Sequence, residues 1–406
     1  MLRRSVAVPA LQHASSSAAL AVVSVAAFFL PACSSGGKQN GLNGQIKLAA
    51  NHYLFGMVAR PSFGHFPTVA ADVETVDGRF FMKDTGRYEL RLASGTLLSE
   101  SEYALDPDGK FSIAVPTSTQ TVVYGGAYGL EGQSGDIVLT DRLGSGIGLY
   151  VGTALVQGNP DLPAMVGNWH VFTLHAVLAP AGSVPDEDSV GLAFGGTIAL
   201  AADGSFTGTG VESENGNISV RGDPNDFQAF ADGRFALEML YDPPTRPDYQ
   251  RGFVAGGTTR FVAGVDEDSG GTDGAAGTVL LMRHRTAAYA AADLAGKYRL
   301  GMQTLFIRSD ASGSDSALGE LELTATGDFR IDATNNQGVD FSYTGTFVAA
   351  ADGTLTFTVT GTTETWRGAF DDGYDTVVFV DPFKEVRANL QKELNLGVAL
   401  RPKPVP

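Results

Sequence analysis

Six histidines, forty-five carboxylates and one cysteine are the groups with which this chain could do chemistry, and their spacing excludes most of it. The histidines are His13, His52, His65, His170, His175 and His284, and none falls in a metalloprotease pattern. His170 and His175 are five residues apart, so on one strand they face opposite sides and cannot share a metal. No Gly-x-Ser-x-Gly elbow is present, and no phosphate-binding glycine loop ending in Gly-Lys-Ser/Thr. Carboxylate pairs fall in turn-rich stretches, where nothing in the sequence points to the desolvation that would tune a general acid. Two acidic loops, Asp266, Asp268 and Asp273 in one and Asp371, Asp372 and Asp375 in the other, alternate Asp with Gly. Such loops can wrap oxygens around Ca²⁺, which takes about 6 to 8 of them, but neither loop has EF-hand spacing and solvated turns are the ordinary meaning. The expectation is no catalytic residue, no metal and no cofactor held by the body. An enzyme, for instance an envelope hydrolase, would have to assemble carboxylates that no motif marks.

A lone cysteine cannot form an internal disulfide, so the fold must hold by its cores. Cys33 follows Arg3, Arg4 and the uncharged run Ala18 to Leu30, thirteen residues long. A membrane-spanning helix needs about 20, so this pattern reads as an export signal. Leu30-Pro31-Ala32-Cys33 resembles the end of bacterial lipoprotein signals; Leu30, Ala32 and Cys33 match, and Pro31 departs from the pattern. The resemblance implies loss of residues 1–32 and a covalent diacylglycerol and acyl lipid, such as palmitate, on Cys33. Residues 33–43 then form a flexible tether. In proteobacterial lipoproteins an Asp after the lipidated Cys favours inner-membrane retention; Ser34 stands here, which implies the outer membrane. The alternatives are a secretory signal cut after Ala32, a buried free thiol, and twin-arginine export hinted at by Arg3-Arg4.

The formal charge of −17 becomes −19 once the two arginines leave with the signal. That sign repels phosphate backbones, so no nucleic-acid partner is expected. Fifty-one glycines and abundant Thr and Val indicate all-β structure.

An internal repeat organises the body. Leu42-Asn43-Gly44-Gln45-Ile46, Met165-Val166-Gly167-Asn168-Trp169 and Leu294-Ala295-Gly296-Lys297-Tyr298 share one pattern, with glycines 123 and 129 residues apart. Asp77-Gly78, Asp203-Gly204 and Gly327-Asp328 predict a first hairpin turn in each unit; Asp108-Gly109, Asp232-Gly233 and Asp352-Gly353 predict a second, as two-residue turns with φ > 0. Apolar runs stopped by Asp (137–141, 261–266, 377–381) and strands entered at Gly148, Gly277 and Gly397 close the units. This predicts three tandem antiparallel meanders, 44–156, 164–284 and 294–402, as small up-and-down barrels or sandwiches, with a six-bladed propeller as the alternative. One helix is expected over Phe383 to Leu394, where Val386, Leu390 and Leu394 make an apolar stripe. The openings Gly167-Asn168-Trp169 and Gly296-Lys297-Tyr298 resemble those of lipocalin-like domains; the first unit has Gly44-Gln45-Ile46 instead. That likeness implies interiors able to hold a small apolar ligand, unless side chains fill them. The functional expectation is a lipid-anchored, non-enzymatic envelope protein that binds either such a ligand or, through its outer faces, another envelope protein or a glycan.

Overall fold

The computed structural model describes residues 46–402 apart from 60–72, 93–94, 117–120, 130–136, 142–146, 155–161, 178–191, 214–215, 231–233, 243–247, 255–260, 268–274, 286–290, 308–311, 364, 372–374 and 383–391. The signal segment, Cys33 and the tether lie outside the described residues.

Three antiparallel meanders follow one another. The first comprises β1 (Ala50–Ala59), β2 (Val73–Met82), β3 (Arg87–Leu92), β4 (Leu97–Leu105), β5 (Lys110–Pro116), β6 (Thr121–Tyr128), β7 (Ile137–Asp141) and β8 (Ile147–Ala154), closed into a barrel by pairing of β1 with β8. The second opens with a single helical turn, α1 (Leu162–Met165), and continues through β9 (Gly167–Val177), β10 (Leu192–Leu200), β11 (Phe206–Glu212), β12 (Gly216–Gly222), β13 (Phe227–Ala229), β14 (Arg234–Asp242), β15 (Asp248–Val254), β16 (Phe261–Glu267) and β17 (Ala275–Arg283). Here β9 pairs with β17, and β12 meets β14 over Ser219–Arg221, so eight strands form a ring and β13 is an extra partner of β14. The third has α2 (Ala291–Leu294), then β18 (Gly296–Ile307), β19 (Ser312–Leu323), β20 (Asp328–Asn335), β21 (Asp340–Ala349), β22 (Thr354–Val359), β23 (Thr365–Phe370), β24 (Thr376–Val380) and β25 (Lys392–Leu400), closed by β18 with β25. Closure within each unit removes its edges and leaves no room for the propeller alternative.

Three sequence expectations need correction. Asp77-Gly78 lies inside β2, paired with Phe55 and Leu54; the turn that follows is Lys83–Arg87, with Gly86 at φ +83°. The described Asp-Gly turns, at Gly109, Gly204 and Gly353, are three-residue loops rather than two-residue ones, and Asp232-Gly233 lies outside the described residues. In Ala201–Ser205, the Gly204 amide donates to the Ala201 carbonyl and the Ala201 amide to the Ser205 carbonyl, and only the glycine has positive φ. The Asp instead accepts from the amide two residues on, as Asp203 from Ser205 and Asp352 from Thr354. One left-handed residue satisfies this turn, so Asp is spared a strained backbone. The expected helix over Phe383 to Leu394 fails at its C-terminal end, because Lys392, Glu393 and Leu394 belong to β25; the rest of that span lies outside the described residues. The short helical turns that are present, α1 and α2, stand before the opening strands instead.

Inward side chains fill the barrels. In the first, Phe80 stacks on Tyr88 with ring centroids 5.1 Å apart, and Phe111 bridges Phe80 and Tyr128. In the third, Trp366 stacks on Phe379 at 5.3 Å and Phe329 meets Phe357 at 5.2 Å. Many rings lie over glycines of a neighbouring strand: a Cβ on Gly210 would collide with Phe194, on Gly222 with Phe206, on Gly345 with Phe329 and on Gly397 with Phe379. The missing Cβ makes the hollow that each ring occupies.

Some strands are buried on both faces. On β24, Val377 and Phe379 point into the third barrel while Val378 and Val380 point outward. The outward set meets Leu394, Leu396 and Val398 of β25, Phe172 and Leu174 of β9, Leu280 and Met282 of β17, and Tyr53, Val138 and Leu149 of the first barrel in one apolar cluster. The three units therefore share a core made from their outer faces. Double burial explains why these strands read as continuous apolar runs.

Candidate functional site at the seam of the second and third units

The repeated openings are structural plugs. Trp169 Nε1 donates to the Met165 carbonyl at 2.8 Å, and the Tyr298 hydroxyl donates to the Leu294 carbonyl at 2.9 Å. Each ring is capped by an arginine from the end of its barrel, Arg283 over Trp169 and Arg401 over Tyr298. Arg283 also donates to the Ala164 and Val166 carbonyls, and Arg401 to that of Asp293. The aromatic two residues after Gly thus closes one barrel end. Burial pushes the Tyr298 hydroxyl up to about 12, with Arg401 opposing.

Polar chemistry gathers where the second unit meets the third. On β9, His170 and Phe172 face outward and His175 inward, as strand alternation requires. His170 stacks on His284 with ring centroids 4.0 Å apart, and its Nε2 lies 3.1 Å from the Asp352 carbonyl in the turn between β21 and β22. The Arg285 amide donates to that same carbonyl, and the Arg285 guanidinium lies over the Phe370 ring. Burial, with His284 adding to it, holds His170 at about 4. Burial likewise lowers His284. Burial opposes ionisation of Asp352, yet hydrogen bonds from Thr354, together with the electrostatic influence of His170 and His284, hold its carboxyl below the usual range.

A cleft of about 550 Å³ opens beside His170. Its floor is the outer face of β10, β11 and β12, with Thr197, Thr209, Asn217 and Ser219, and its far wall is Thr354 and Arg367 of the third unit. Gly195 allows the approach, since a Cβ there would collide with Val380 and press on Arg367. Arg367 Nε is buried and has no hydrogen-bond partner, and no described carboxylate forms an ion pair with the guanidinium. Another cleft, of about 720 Å³, runs between the first and third units, where Arg299 forms an ion pair with Asp108 at 2.6 Å.

The sequence-nominated residues lie elsewhere. Asp371 and Asp375 are buried at one end of the third barrel, and Asp371 Oδ1 accepts from the amides of Asp375 and Thr376. That carboxylate therefore ties its own loop. Asp266 is on β16, while Asp268, Asp273 and Asp372, like Cys33, lie outside the described residues. Among the described residues no group of three or more His, Cys, Asp or Glu is arranged to hold a metal ion. His52, inside the first barrel, lies 3.2 Å from the Tyr128 hydroxyl. Arg367 escaped sequence reasoning because a single arginine in Thr365-Trp366-Arg367-Gly368 signals only an outward position opposite Trp366.

No family model matches this chain, and no curated protein matches it. Solved structures similar to it include a mutant transferrin binding protein B (TbpB) from Haemophilus parasuis, at 8% identity over 88% of this chain and 78% of that one, with a TM-score of 0.28. Intact Ap-TbpB, with N and C lobes, aligns at 7% identity over 88% and 79%, with a TM-score of 0.27. Isotype 1 TbpB from serogroup B Neisseria meningitidis aligns at 11% identity over 89% and 78%, with a TM-score of 0.28.

Proposed function

We propose that this chain is a lipid-anchored protein of the bacterial envelope, placed on the outer membrane through Cys33, and that it acts as a non-catalytic binding module through its outer surfaces. The observation that carries the outward reading is the ring-over-glycine filling of the barrels, which favours solid interiors over containers for a small apolar ligand. A partner then meets the outer faces and the clefts between units. Another envelope protein or a glycan is the class of partner such a surface takes.

Mass spectrometry of organic extracts from the chain purified from residue 41 onward, beside a mock purification, tests the interior. A clean extract is expected; a stoichiometric apolar compound would make the barrels containers. Anchoring is tested separately: labelled palmitate should enter the wild type but not Cys33→Ala, and equal labelling of both would overturn it.

A further inference from the structure

A guanidinium that is partly buried, permanently charged and without an anionic partner is unusual, because desolvating a cation is costly unless a counter-charge repays it. Among the described residues Arg367 is in that position at the wall of the seam cleft, in a chain with a formal charge of −17. Opposite it stand small hydroxyl and amide side chains, Thr197, Thr209, Asn217 and Ser219, all on one outward face because they alternate with inward residues along β10 to β12. Phe172 supplies an apolar base. The volume falls within the roughly 300–1,000 Å³ of small-molecule sites.

We propose that this cleft binds a carboxylate-bearing sugar unit, its carboxylate on Arg367 and its hydroxyls on the Thr, Ser and Asn side chains of β10 to β12. A carboxylate suits the planar fork of a guanidinium. A row of groups that both donate and accept suits a polyol better than an apolar ligand or a bare ion. Because the two walls belong to different units, the site exists only when the second and third units are docked. This inference rests on the reading that the protein binds through its outer surfaces, and it names the ligand class for one of them.

The test is isothermal titration of the full-length lipoprotein in detergent with glucuronate, a uronate-bearing oligosaccharide, glucose and inorganic phosphate. Saturable binding of glucuronate or the oligosaccharide is expected, and whichever binds more tightly tells whether the source is a free sugar or a glycan chain. Glucose should bind at least about tenfold more weakly, the weight of one charge-assisted hydrogen-bonded pair. Arg367→Gln should weaken the uronate by the same factor, and Thr209→Val, on the opposite wall and solvent-exposed, should weaken it without loss of fold. Binding of phosphate with no uronate binding, equal affinity in wild type and Thr209→Val, or no uronate binding at all would each overturn the proposal. Failure here leaves the extract experiment untouched, and an apolar compound in that extract leaves the uronate result untouched, so the two readings fail separately.

Discussion

At the scale of single residues, the seam histidines carry the clearest pH dependence. His170 titrates near 4 in the folded chain against an ordinary value of 6.5, so its neutral form is favoured by folding. Stability from this group is fully present above pH 6.5 and is lost as pH falls from 6.5 towards 4. At about 1.4 kcal/mol per pK unit, the loss is on the order of 3 kcal/mol at most. His284 is lowered too and acts in the same direction. His170→Gln should therefore show a shallower fall in Tm between pH 7.5 and 4.5 than the wild type; parallel profiles would mean that the imidazole is not what acid attacks. Tyr298 makes a second residue-scale case. Tyr298→Phe keeps the ring but strands the Leu294 carbonyl and removes a partner of Arg401, at a cost of about 1–3 kcal/mol by urea denaturation. An unchanged midpoint would make the plug ornamental.

At the scale of elements, the barrels depend on glycine for volume as much as for conformation. The third barrel places Gly397 of β25 under the Phe379 ring of β24, its register partner. Gly397→Ala should force that ring aside and destabilise by about 1–3 kcal/mol, as overpacking does. A smaller companion change, Phe379→Leu, should partly rescue it, and additive losses in the double mutant would refute the coupling. The alternation of the strands was readable in advance, since Leu321, Leu323, Leu355 and Phe357 recur with period two and all point into the third barrel. What alternation does not say is which strand a glycine will lie beneath. That pairing depends on register across the sheet, which is why Gly78 was misread as a turn when it sits inside β2 close to the Arg91 carbonyl.

At the scale of the whole molecule, three barrels share one apolar cluster, and Gly301 of β18 lets the third come within contact of Val138 and Leu149 in the first. The units should therefore unfold together, in one calorimetric transition. Val398→Asp, which places a charge in the shared cluster, should split or broaden that transition; separate transitions already in the wild type would show that the barrels are thermodynamically independent. The acidic, glycine-rich composition, the threefold opening motif and the Asp-stopped apolar runs by themselves determined an all-β chain of three meanders, because strand period and turn chemistry are local properties. Only the tertiary structure decided that the runs on β24 and β25 are apolar on both faces because a second core lies outside the barrel. It alone brought Arg367, His170 and the Thr-rich face of β10 to β12 to one cleft. Those residues come from units more than a hundred positions apart, and their meeting depends on how closed barrels dock, a long-range packing outcome to which no local spacing in the chain corresponds.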